Sequence, residues 1–112
     1  MTTAQRNLVV LITRGADHEL SSVALTIACG GITAGLKVHL FLTSAAVDLV
    51  RKGGIEMTQV APLDPLKTLM GDFVARGGVV WACPPCVKAR GYTQESFIEG
   101  VTIVGADRKS VV

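Results

Sequence analysis

Two cysteines separated by two residues, Cys83-Pro84-Pro85-Cys86, are the side chains whose type and spacing point most directly to chemistry. A C-x-x-C pair serves disulfide exchange, transfer of sulfane sulfur as a persulfide, or metal ligation, and each of these uses a thiolate. The surrounding residues suit a thiolate. Val79 to Ala82 reads as a buried strand running into the turn, and a short helix is expected from Pro84 or Pro85 to Arg90, stopped by Gly91. Both sulfurs then sit near a helix N-terminus, beside unpaired N–H groups and the positive end of the dipole. Proline is favoured there because its φ is preset and the first helical residues need no intrahelical N–H bond. Arg90 lies four residues after Cys86 and Lys88 is close by, so a lowered thiol pKa is expected.

The remaining candidates are weaker. One C-x-x-C supplies two of the four ligands a closed zinc site uses, and His18 and His39 read as a helix-start residue and a packed strand residue. No metal and no cofactor is expected. Cys29 lies in the first helix, away from the strand ends, and reads as a packing or interface residue. The chain has neither a G-x-x-x-x-G-K-S/T phosphate loop nor a G-x-G-x-x-G fingerprint, so nucleotide binding has no motif behind it. Against chemistry at Cys83 and Cys86 stands the reading of two buried, inert thiols.

The elements that must hold the pair alternate in kind. Leu8 to Ile12 reads as a strand buried on both faces, and Asp17 as the cap of a helix in which Leu20, Val23, Ala24, Ile27, Ala28 and Gly31 form a core-facing stripe. Val38 to Leu42 is the second strand. Thr43-Ser44 then leads into a short helix from Ala45 to Lys52, ended by Gly53-Gly54. Asp64 caps a third helix that starts at Pro65 and ends at Gly77-Gly78. After the cysteine helix, another helical turn is expected between Gln94 and Glu99, and Val101 to Val104 is the fourth strand. This order predicts one α/β domain over residues 1–112. The fold class is a doubly wound, three-layer α/β/α arrangement around a parallel sheet of four or five strands. Functional groups of such sheets gather at the carboxyl ends of the strands. That places Arg14, Asp17, Thr43 and Ser44 beside the cysteines as supporting residues, and makes the loop from Gly105 to Asp107 a fourth contributor.

The net charge is only +2, so nothing points to nucleic acid or an anionic membrane as a direct partner. The apolar run at the N-terminus is far too short to span a bilayer, and three cysteines do not make a disulfide framework. A cytoplasmic location follows as the expectation. Between Leu20 and Leu36 the first helix has no charged residue, and Leu25, Cys29 and Ile32 add apolar groups to the side opposite its stripe. A helix apolar on both sides is normally buried on both sides, which predicts a partner subunit over the outer one.

The segment Cys83-Pro84-Pro85-Cys86-Val87-Lys88-Ala89-Arg90-Gly91-Tyr92 resembles the DsrE/DsrF-like (YchN-like) family of sulfur-relay proteins, in which a strand leads into Cys-x-x-Cys-x-x-Ala-Arg-Gly and an apolar residue. Gly35 to Thr43, with Val47 to Gly53 after it, resembles the family's second strand and helix. The likeness covers residues 8 to 105. It implies homo-oligomers, as trimers or hexamers, and persulfide transfer between sulfur-donor and sulfur-acceptor proteins without a cofactor. Cys83 and Cys86 would be the active residues, with Arg90 and Gly91 shaping the turn. The family pattern adds a helix and strand after the fourth strand, whereas Asp107 to Val112 is too short for both. Either the sheet is one strand smaller or the natural chain is longer. The rival activity is a thioredoxin-like thiol-disulfide oxidoreductase, although such chains place C-x-x-C early and a proline later, and no proline follows Cys86 here. A non-catalytic ligand-binding or assembly subunit is the third reading.

Overall fold

The computed structural model describes residues 6–54 and 65–104. Four strands, β1 (Asn7–Ile12), β2 (Lys37–Leu42), β3 (Val79–Ala82) and β4 (Val101–Ile103), form one parallel sheet in the order β1-β2-β3-β4. Three α-helices flank it: α1 (Glu19–Thr33), α2 (Leu66–Ala75) and α3 (Pro84–Ala89). Two 3-10 segments, Ser44–Val50 and Gln94–Ser96, complete the described chain. This is the expected α/β class, with four parallel strands among the described residues. Asp64 and the Gly105 to Asp107 loop lie outside them. Pro65 takes the N-cap position of α2, with Leu66 as the first helical residue, one step later than expected.

The parallel register puts Val10, Leu40, Val80 and Val101 in one row, and Ile12, Leu42, Ala82 and Ile103 in the next row on the same face. These rows join Leu66, Leu69, Met70 and Phe73 of α2 and Leu25 and Ala28 of α1 in the main core. The two helices meet where the Cys29 thiol reaches the Leu69 carbonyl at 3.5 Å. On the other face of the sheet, His39 stacks on Trp81 with ring centroids 4.6 Å apart, and His39 is only 6% exposed. Burial, and then the Lys37 charge, hold the His39 pKa below its ordinary value.

Helix α1 is rotated from the face its periodicity suggested: Ala28 and Gly31 of the expected stripe are buried, but its large side chains are not. Ser21, Ser22, Leu25, Ala28, Cys29 and Gly31 are buried, whereas Leu20, Val23 and Ile27 are 54%, 40% and 57% exposed. Close approach decides the matter. At Gly31 an added Cβ would stand 3.0 Å from both Leu8 and Val38, so the helix lies on the sheet through its smallest side chains. The hydroxyl of Ser21 secures the same side, reaching the carbonyls of Arg14 at 2.7 Å and Gly15 at 2.8 Å. Asp17 is not the cap. His18 occupies the N-cap, and its Nδ1 accepts from the Leu20 N–H at 3.1 Å. The exposed apolar side chains of α1 continue onto the edge strand, where Leu11 is 60% exposed and lines a groove with Leu20 and Ala24.

The entry to β3 turns on two glycines with different tasks. Gly77 adopts a left-handed φ of 92° and ends α2, while Gly78 lies against the Phe73 ring so closely that a Cβ would overlap it. Gly78→Ala is therefore expected to cost about 1–3 kcal/mol in chemical denaturation, because the fully buried ring must shift. An unchanged unfolding midpoint would contradict this packing. His39 adds a pH dependence. The unfolded chain takes up a proton near the ordinary value of 6.5, whereas the folded site does so only at lower pH. Stability is therefore expected to fall as the pH drops from about 6.5 toward the folded value. In urea unfolding at stepped pH, His39→Phe should flatten that fall; a profile parallel to wild type would remove His39 as its source.

Candidate functional site at the carboxyl ends of the strands

The ladder continues one residue past the strands and ends nearly level across the sheet. Thr43 N–H donates to the Ile12 carbonyl at 3.0 Å, Cys83 N–H to Leu42 at 2.9 Å, and Val104 N–H to Ala82 at 3.2 Å. Cys83 is thus the last residue tied to the sheet and also the N-cap of α3, whose first helical bond runs from the Val87 N–H to the Cys83 carbonyl at 3.0 Å. Pro84 and Pro85 fill the first two helical positions, as their fixed φ favours. Gly91, at a φ of 70°, closes the helix: its N–H bonds to the Lys88 carbonyl and that of Tyr92 to Val87. Arg90 is the C-cap and its side chain is exposed.

Cys83 and Cys86 are both half-buried and carry no disulfide. The Cys83 thiol is pushed up, first by burial. The neighbouring Cys86 acts both ways: its backbone N–H opposes the rise, whereas its thiol and the charge it would carry add to it. The lowered thiol pKa expected from the helix end and its cations is therefore not found at Cys83. Burial outweighs a helix of only six residues whose basic side chains stand in solvent. Cys86 has a contact from another element: the Ser44 backbone N–H donates to its Sγ at 3.2 Å. Ser44 has a φ of 53°, the one left-handed non-glycine conformation among the described residues.

The supporting residues divide. Thr43 and Ser44 adjoin the cysteines through the ladder and the Ser44–Cys86 bond. Arg14 and Asp17 belong to the loop after β1, which reaches the same end of the sheet through Gly15. There an added Cβ would lie 3.3 Å from the Ala45 carbonyl, next to Ser44. Both side chains are exposed, and Arg14 lines the groove shared by Leu11 and Leu20. Among the described residues no group of three His, Cys, Asp or Glu side chains is placed to hold a metal ion.

Several features of the site were not legible in the motif. The Tyr92 hydroxyl donates to Asp48 at 2.6 Å, tying the end of α3 to the Ser44–Val50 segment, and this bond is the main reason its phenol pKa is raised. The Arg51 guanidinium lies 5.8 Å from the centre of the Tyr92 ring, and Phe97 meets the ring edge-on. A pocket of about 440 Å³ is lined by Pro84, Pro85, Val87, Lys88, Tyr92 and Ile103, with neither cysteine in its lining. The only signals for these contacts were an aromatic residue after Gly91 and an acid on the short helix before it. Neither signal names its partner.

The DsrE/DsrF-like family model matches residues 6–109. An uncharacterized protein of Methanopyrus kandleri is 33% identical over 95 residues, covering 85% of this chain and 75% of its own length. One of Methanocaldococcus jannaschii is 32% identical over 95 residues, covering 84% and 80%. Among solved structures, the ychN protein of E. coli superposes with a TM-score of 0.69 at 22% identity, over 91% of this chain and 86% of the other. A protein of unknown function from Methanobacterium thermoautotrophicum gives 0.67 at 17%, over 89% and 82%. These two likenesses speak for the fold, a parallel α/β sheet flanked by helices. With the family match running through strands, cysteine turn and all, the chain belongs to the DsrE/DsrF-like family, whose membership suggests a role in sulfur relay.

Proposed function

We propose that the protein carries sulfane sulfur as a cysteine persulfide at the Cys83–Cys86 turn. The observation behind this is the placement of two half-buried thiols in one turn at the carboxyl edge of the sheet, one of them receiving a backbone N–H. A thiolate of the pair attacks the outer sulfur of a donor persulfide, and the donor's inner sulfur leaves as a thiolate. An acceptor thiolate then takes that outer sulfur, and the cysteine is released unchanged in oxidation state. If no acceptor is present, the second cysteine can attack the inner sulfur, forming the Cys83–Cys86 disulfide and expelling the sulfane sulfur as hydrosulfide. Donor and acceptor are proteins in this reading, and no cofactor takes part.

The closeness of two free thiols in one turn also supports a second reading, a thiol-disulfide oxidoreductase that passes electrons rather than sulfur. Intact mass after incubation of the reduced protein with polysulfide separates the two. Sulfur relay is expected to add whole sulfur atoms to wild type, and one of Cys83→Ser and Cys86→Ser should abolish the adduct. Conversion to a disulfide with no sulfur gained in either single mutant would favour the oxidoreductase. A protein unmodified throughout would leave the thiols structural and reduce the chain to a binding or assembly subunit.

We also propose that the chain assembles with copies of itself, as a trimer or hexamer, through the exposed side of α1. Leu20, Val23 and Ile27 form an apolar surface there, continuous with Leu11 of the edge strand, with Arg14 at the border of the shared groove. The exposed apolar area gives a reason to associate, and a second copy of the same surface is its complement. This surface replaces the one expected from Leu25, Cys29 and Ile32, of which Leu25 and Cys29 are buried in the subunit itself. Ile27→Glu is expected to lower the mass measured by light scattering to that of a single chain, while leaving far-UV circular dichroism intact. An unchanged assembly mass would move the interface elsewhere. Among the described residues no helix is long and apolar enough to cross a membrane.

A further inference from the structure

The two sulfurs of the turn stand in different surroundings. Cys83 is bound into the sheet through its own N–H, and although it is the N-cap of α3 its side chain accepts no capping hydrogen bond. The donor to Cys86 comes from the segment after β2, 42 residues earlier in the chain. That donor is held in place from three directions. Thr43 is fixed to β1 by its bond to the Ile12 carbonyl, the Ala46 N–H returns to the Thr43 carbonyl at 2.9 Å, and Gly15 packs on Ala45. Ser44 between them takes a left-handed backbone without being glycine, a conformation that costs free energy and is retained where the surroundings enforce it. Its side chain has no part in the contact; the amide does.

An amide aimed at sulfur favours the anion over the thiol, and it can hold the sulfur in one place while the outer atom of a persulfide is exchanged. Resting on the relay reading above, we infer that Cys86 is the cysteine that takes up the sulfane sulfur, that the Ser44 backbone N–H is its positioning group, and that Cys83 is the resolving cysteine. In the uptake step the Cys86 thiolate forms a bond to the donor's outer sulfur, and the donor S–S bond breaks to release the donor thiolate. In the discharge step Cys83 attacks Sγ of Cys86. The two cysteines are oxidised to a disulfide, and the outer sulfur is reduced and leaves as hydrogen sulfide with the Cys83 proton. Delivery to an acceptor thiolate competes with this discharge, so the pair returns its sulfur as sulfide when delivery is slow.

Peptide mapping of the polysulfide-treated protein tests the assignment directly. The added sulfur is expected on Cys86 in wild type. Cys86→Ser should lose uptake, whereas Cys83→Ser should take up sulfur and hold it longer than wild type. Replacing residue 44 by the matching α-hydroxy acid turns its amide into an ester and deletes only the N–H. Uptake at neutral pH is expected to slow roughly tenfold or more. Ser44→Gly, which keeps the N–H and accepts the left-handed backbone, should stand far above the ester variant. Sulfur found on Cys83, with full uptake in Cys86→Ser, would overturn the assignment while leaving sulfur relay intact. An ester variant as fast as wild type at neutral pH would overturn the role of the amide. Sulfur on neither cysteine would remove the relay reading, and this inference with it.

Discussion

The arrangement depends on parallel strands that end nearly level. Bonds from Thr43 to Ile12, from Cys83 to Leu42 and from Val104 to Ala82 extend the ladder one residue beyond each strand. In a parallel sheet the bonds are evenly spaced, so a register set in the core is transmitted unchanged to the edge. Thr43 and Cys83 thereby leave the sheet side by side. Ser44 and α3 start from adjacent points, close enough for a backbone amide of one to meet a sulfur of the other. A one-residue slip of β3 would turn Cys83 toward the opposite face and break that meeting.

Keeping this register is the work of unremarkable side chains. Gly31 lets α1 lie directly on Leu8 and Val38, Gly78 admits the Phe73 ring at the start of β3, and Gly15 lets the loop after β1 settle against Ala45. A methyl group would overlap the ring at Gly78 and crowd its neighbours at Gly31 and Gly15, so each contact sets the distance between two elements. The Tyr92–Asp48 bond does the same for α3 and the segment beneath it. The site is positioned by packing at its borders more than by bonds among its own residues.

The strands and the cysteine turn were readable in the chain because their signals are local. Continuous apolar runs marked β1, β2 and β3, and a strand running into Cys-Pro-Pro-Cys with Gly91 beyond it could hardly be other than a strand, a helix start and a helix stop. The side of α1 facing the sheet was not readable, because both sides are apolar and the deciding property was small size rather than hydropathy. His18 displaced Asp17 as the cap through a difference of one residue, finer than propensity resolves. Ser44 could be placed near the site by topology, but its contribution depends on a left-handed backbone and a partner 42 residues away. Information of that kind arises only when the chain is folded.

The two prolines of the turn have a chemical consequence of their own. Helix starts commonly cradle phosphate or sulfate because several N–H groups there point outward without partners. In α3 the first two positions have no N–H at all and the fourth is bonded to the Cys83 carbonyl, so at most the Cys86 N–H is left to point outward. The helix start therefore keeps no open nest for an oxyanion. Sulfate, sulfite and phosphate find no backbone cradle to occupy beside the thiols.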